Sequence, residues 1–319
     1  MKKLIVLFLI TLLSLAVLNC SDRDNPVDVN QPSGLYFTFD FTSQALSGSV
    51  LGDFPGRNVL IYTPPGYDTY DHRTRYPVLY LLHGYGGDHN YYRGLYGLAE
   101  TMDEMINSGE IEPMIIVMPD ASNGLGGGFY TNSPDASYPN PSFAGLYADF
   151  ITDEVVDSID FHYKTIADRR YRGIAGHSMG GYGAVKLAME RNDLFGSAAS
   201  MSGPLAFYGG FPQPANPTFS GIVSLIPSVF AENGVTPGSD ETDDMESTLI
   251  DYFAIAPGPQ KRLTNMMFAM AAAFSPYDTS KADTSTAHYF LPGSDARVNL
   301  PFDENGQIVP KVWGRWMAN

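Results

Sequence analysis

The chain has 319 residues, 44% of them hydrophobic, and a formal net charge of −16. That length and apolar content support one large globular domain or two ordinary ones, and the excess of acid argues against nucleic acid as a partner. A single cysteine, Cys20, excludes an internal disulfide and a thiolate metal cage.

Met1-Lys2-Lys3 leads into the apolar run Leu4–Leu18 and then Asn19-Cys20, the order and length of a secretory signal rather than a spanning helix. The placement of Cys20 resembles the lipobox of bacterial lipoproteins, with Val17 where leucine is usual and Asn19 where a small residue is usual. Residues 1–19 are therefore expected to be a lipoprotein signal peptide, with Cys20 the lipid attachment site on a protein of the bacterial cell envelope. Removing the signal takes away two lysines and no acid, which leaves −18. Such a charge is repelled by anionic surfaces, so membrane contact is expected through the lipid only. Ser21–Ser33 holds three aspartates, two prolines and no aromatic residue, which makes residues 20–34 a flexible tether.

Folded structure is expected over 35–319. Asn58–Thr63 and Val78–Leu82 are apolar, β-branched-rich runs bounded by Pro and Gly, and both read as strands. Leu95–Asn107 repeats apolar residues at helical spacing, and Met114–Met118 is another buried type of strand. Tyr147–Ile159 is amphipathic. Tyr171–Ala175 and Ser197–Met201 supply strands on either side of the helical pattern Gly183–Met189. This alternation predicts an α/β fold with a mainly parallel sheet flanked by helices on both faces. After Pro204 the composition turns to Pro, Gly, Ser and Asp, so 205–310 is expected to be a lid-like region.

Between the last two strands lies Gly176-His177-Ser178-Met179-Gly180-Gly181. A G-x-S-x-G turn from strand to helix forces its serine into a strained conformation with Oγ exposed at a helix N-terminus. His83-Gly84-Tyr85-Gly86-Gly87, directly after Val78–Leu82, is a loop whose backbone N–H groups can turn into the same pocket. A serine nucleophile and an oxyanion hole together point to attack on an acyl carbon.

These motifs, with Thr63–Tyr67, Tyr76–Gly87, Met118-Pro119-Asp120 and Gly128–Ser133 in the same order, resemble the esterase family of α/β hydrolases. That family includes S-formylglutathione hydrolases, feruloyl and acetyl xylan esterases, enterochelin esterases and mycolyltransferases. The resemblance implies an α/β-hydrolase fold with Ser178 as nucleophile and the backbone N–H groups of Tyr85 and Met179 as oxyanion hole. It also implies an acid and then a histidine after the serine, each following a further strand. No run downstream of Met201 matches those strands, so the last strands read as missing, a lid-like insertion follows the sixth strand, and the chain reads as truncated. His288 is the only histidine after Ser178; it is a candidate base with Asp251 or Asp278 as its acid, although a loop or lid position is favoured.

The remaining features read more plainly. His83 is expected to fix the oxyanion loop and His177 to pack away from Ser178, while His72, His89 and His162 lie in or beside polar loops. No two histidines have metal-pair spacing, so neither a metal nor another cofactor is expected. Asp240–Glu246 reads as a solvated surface turn and Asp303–Gly306 as a turn with positive φ. Tyrosines of Gly124–Tyr147 either stack on a sugar or phenolic ring or pack the loop. The expected activity is hydrolysis of carboxylic esters through an acyl-enzyme, on acylated polysaccharide or oligosaccharide such as feruloyl or acetyl esters. A catalytically inactive glycan-binding surface lipoprotein and an acyltransferase of the same fold are the alternatives.

Overall fold

Strands β1 (Leu35–Thr42), β2 (Gly56–Thr63), β3 (Val78–Leu82), β4 (Ile115–Pro119), β5 (Arg172–His177) and β6 (Ser197–Met201) form one sheet in the order β1-β2-β4-β3-β5-β6. The computed structural model describes residues 31–49, 51, 53–133, 143–205, 217–237, 257–258, 260–276, 289–290, 297–303 and 305–317. The expected signal, Cys20, Asp240–Glu246, Asp251, Asp278 and His288 lie outside the described residues. Ser33–Asn319 forms one compact unit.

The sheet is mixed. Strands β4, β3, β5 and β6 run parallel, whereas β1 pairs antiparallel with β2, and β2 with β4. Alternation along the inner strands assigns their side chains to opposite faces. Val59, Ile61, Val78, Tyr80, Leu82, Ile115 and Val117 share one core, and Leu60, Tyr62, Leu81, Ile116, Met118 and Ala175 the other. Both faces are buried, which is why these strands read as continuous apolar runs.

Helices α1 (Tyr91–Tyr96) and α2 (Leu98–Asn107) cover the second face through Tyr92 and Met102. Gly97, at φ 54° between them, ends one helix and starts the other, where the sequence reads a single helix from Leu95. The first face is covered by helix α3, which begins at Tyr147–Asp149, passes through a π-helical stretch Phe150–Val155 and ends with Val156–His162, and by α4 (Met179–Glu190). Further on come α5 (Pro217–Glu232), α6 (Arg262–Phe274), the short strands β7 (Tyr289–Phe290) and β8 (Arg297–Val298), and α7 (Pro310–Met317).

Helix α6 departs from the expected lid. Met267–Phe274 is buried in the same core as the first sheet face, and Phe274 sets its ring edge-on to Phe129 and Tyr182 at 5.6 and 5.9 Å. Burial of each Met or Phe of this segment contributes about 1.5–3 kcal/mol, so this part of 205–310 is structural core. Its mix of Met and Ala lacks the polar stripe of a surface helix, and that is the signal for burial on all sides.

Candidate active site

Strand β5 ends at His177 and α4 starts at Met179, so Ser178 is the corner between them, with φ 54° and ψ −115°. A side chain at positive φ is strained, and here the strain is held by neighbours: Ser178 N–H donates to the Met201 carbonyl at 2.8 Å and its own carbonyl accepts from Tyr182 N–H at 3.0 Å. Close approach sets the rest of the corner. A Cβ on Gly180 would lie 2.1 Å from the Leu82 carbonyl oxygen, so only glycine lets α4 start against the end of β3. Ser178 is thereby placed beside the loop that follows β3.

That loop is fixed by His83. Ala121 N–H donates to His83 Nε2 at 3.0 Å, which places the ring proton on Nδ1, and Nδ1 then donates to the Gly84 carbonyl at 2.9 Å. Complete burial pushes the His83 pKa down and keeps the ring neutral, as this double bonding requires. Gly86 N–H is taken by the Gly126 carbonyl at 2.9 Å and Gly87 N–H by Gly84 at 3.0 Å. Among the described residues the N–H groups of Tyr85 and Met179 donate to no backbone carbonyl, and both border the cavity at Ser178. With the positive end of α4, these N–H groups give the cavity a positive electrostatic character beside Ser178.

The histidines fall where packing puts them. His177 turns from Ser178 and accepts or donates a 2.8 Å bond with the Tyr91 hydroxyl, its ring stacked on Tyr91. His162 binds the Ser158 carbonyl and packs on Phe39, and His72 is exposed. Among the described residues no histidine hydrogen bonds to Ser178. Tyr130 and Tyr147 are buried, and donate to the His83 and Ser122 carbonyls at 3.0 Å each, so these two pack the loop and do not offer a stacking face. Tyr138 lies outside the described residues.

Residues 56–232, more than half of the chain, match the model of the Esterase family, described as "Putative esterase". The chain belongs to this family. It is 35% identical over 186 residues to an esterase of Mycobacterium tuberculosis, which covers 57% of this chain and 35% of that protein. It is 34% identical over 147 residues to an endo-1,4-beta-xylanase/feruloyl esterase of Xylanibacter ruminicola, covering 45% of this chain and 19% of that one. The chain thus spans about a third or less of these relatives' lengths. Among solved structures, a ferulic acid esterase aligns with a TM-score of 0.47 at 27% identity, over 58% of this chain and 65% of its own.

In this family member the Ser178 cavity measures about 530 Å³ and is walled by apolar side chains: Phe129, Met179, Leu205, Ile222, Met266 and Met270. Sequence reading missed all of these but Met179. Met266 and Met270 stand one helical turn apart on α6, a spacing visible in the sequence but indistinguishable there from ordinary core. Ser202, at φ 55°, is a second serine in the same cavity.

One ion pair braces the loop's far end. His89 Nδ1 lies 3.6 Å from Asp120 Oδ2, a Coulombic rather than hydrogen-bonding distance. Burial acts to raise Asp120, yet His89 and Ser122 overcome it and bring the carboxyl down to about 2. Asp120 in turn raises His89 above its ordinary 6.5. The carboxylate's contribution is present above 3.8 and lost as pH falls through about 2; the imidazolium's is present below 6.5 and lost as pH rises through its higher folded value. Asp120→Asn is therefore expected to cost about 2 kcal/mol between roughly pH 4 and 6.5, and progressively less above. Denaturant titrations of both proteins across pH 4–9 check this; a difference that grows toward pH 9 contradicts it.

Proposed function

We propose that this chain is a serine esterase that cleaves carboxylic esters through an acyl-enzyme on Ser178, with feruloyl or acetyl esters of carbohydrate as substrates. The observation that carries the reading is a strained serine at the start of α4, beside a loop whose Tyr85 N–H has no backbone partner among the described residues. Ser178 Oγ attacks the ester carbonyl as its proton passes to a base, and the oxyanion is met by the Tyr85 and Met179 N–H groups. Collapse breaks the carbon–oxygen bond to the alcohol, which leaves with that proton. Water then attacks the acyl-enzyme and frees the acid. The apolar wall of Met266, Met270 and Ile222 suits the acyl group.

Five of the six histidines are described and none of these hydrogen bonds to Ser178, which leaves His288 as this chain's own candidate for the base. Support for carbohydrate esters comes from the Xylanibacter relative, named for xylanase and feruloyl esterase activity. The test is turnover of p-nitrophenyl acetate and methyl ferulate. Hydrolysis abolished by Ser178→Ala supports the reading; hydrolysis that survives the substitution overturns it.

Attachment to a bacterial membrane through lipid on Cys20 is part of the proposal and rests on the residue order Met1–Cys20. Cells expressing the chain are expected to incorporate labelled palmitate into it and to lose the label in Cys20→Ser. Label retained in the variant would remove this part.

A further inference from the structure

A second cavity, of about 580 Å³, shares the Tyr85 wall with the Ser178 cavity and lies between the loop Asn123–Gly126 and the segment Gln260–Asn265 at the start of α6. Where the first cavity is apolar, this one is lined by Asn123, Gln260, Lys261, Arg262 and Asn265. Its neighbouring charges are engaged with one exception. Glu232 accepts from Leu263 N–H and Thr264 N–H at 3.1 and 2.8 Å, and Lys261 Nζ donates to Asn233 at 2.7 Å. Asp53 accepts from Gly124 N–H behind the loop at 2.8 Å.

The exception is Arg262. It is exposed, and among the described residues no carboxylate lies within salt-bridge distance of it, in a chain with 35 acidic and 19 basic residues. Its charge reaches Tyr85, where it opposes the strong upward push of burial on the phenol. Asn123 Oδ1 is occupied by Leu125 and Gly127 N–H at 3.0 and 2.8 Å, which leaves its amide NH₂ as a donor. A planar guanidinium fork with an amide donor across a polar cavity matches a carboxylate.

We propose that the Arg262 cavity is a second subsite, which holds a carboxylate carried by the alcohol part of the ester while the acyl group occupies the Ser178 cavity. The substrates are then esters of acidic alcohols, of which sugar acids are the carbohydrate class. This rests on the serine-esterase reading.

The experiment compares 4-acetoxybenzoate with 4-acetoxybenzamide in the wild type, Arg262→Gln and Arg262→Lys. Intrinsic ester reactivity cancels when the ratio of kcat/KM for the two esters is compared between proteins. That ratio is expected to fall roughly threefold to tenfold in Arg262→Gln, chiefly through KM, and to recover in part with lysine. Added salt is expected to shrink the wild-type ratio. In parallel, saturation-transfer NMR with 4-hydroxybenzoate and 4-hydroxybenzamide reads binding without turnover. An unchanged ratio in Arg262→Gln, or equal binding of acid and amide to the wild type, overturns the subsite. Preferential acid binding lost in Arg262→Gln with no hydrolysis of either ester supports the subsite and overturns the esterase reading.

Discussion

Ser178→Ala is expected to lower kcat/KM for p-nitrophenyl acetate by on the order of 10⁴-fold or more, because nucleophile and oxyanion hole act as a unit and the donors alone retain little of the rate. Stability should move differently. With φ 54° and ψ −115°, the corner costs on the order of 1–3 kcal/mol for any residue that carries a Cβ. Alanine keeps that strain and glycine removes it. Ser178→Gly is thus expected to be as inactive as Ser178→Ala yet more stable than it, by about 1 kcal/mol after the added freedom of the unfolded chain is deducted. Denaturation of the two variants side by side decides the point; a glycine variant less stable than the alanine variant contradicts a strained corner.

Gly180→Ala should be a severely damaging single methyl group. Its Cβ would stand 2.1 Å from the Leu82 carbonyl oxygen, 2.6 Å from the Leu82 carbonyl carbon and 2.7 Å from the His83 carbonyl oxygen. All three are backbone atoms at the end of β3, so no side chain can swing aside, and α4 must lift from the sheet. A loss of about 3 kcal/mol or more is expected, at the upper end of overpacking. Whatever folds would carry Ser178 displaced from Tyr85, and a shift of about 1 Å can cost 10²-fold in rate. Gly94→Ala is the control: nothing lies within 4 Å of its Cβ, and the helix α1 position should gain about 0.5–1 kcal/mol. Thermal melts and p-nitrophenyl acetate turnover read both effects, and a Gly180→Ala protein as stable and active as Gly94→Ala refutes the close packing of α4 on β3.

Most of the surroundings of Ser178 were legible because they are local. Val78–Leu82 and Ser197–Met201 appear as strands with the predicted ends, and the turn between β5 and α4 is written in consecutive residues. β1 was not read, since its apolar residues do not mark one buried face: Phe39 and Phe41 pack on the first core, Tyr36 on the second, and Leu35 and Phe37, on the same side as Phe39 and Phe41, are exposed. The antiparallel pairing of β2 with β4, across the intervening β3 and two helices, follows from contacts far apart in sequence, and no local pattern encodes it. The Ser178 cavity is built in the same way. Phe129, Ile222 and Met266 meet there from three separate segments, and each alone looks like ordinary core. Arg262 was overlooked for the opposite reason, being one exposed cation with nothing nearby in sequence to mark a site.

The central claim is that Ser178 is the acylated atom's residue. Brief incubation with p-nitrophenyl acetate, acid quench and peptide mass spectrometry tests it directly. An acetyl group on the peptide containing Ser178, absent in Ser178→Ala, is the predicted result. Acetylation confined to Ser202, the other serine of the same cavity, or an equal yield of adduct in Ser178→Ala, would contradict it.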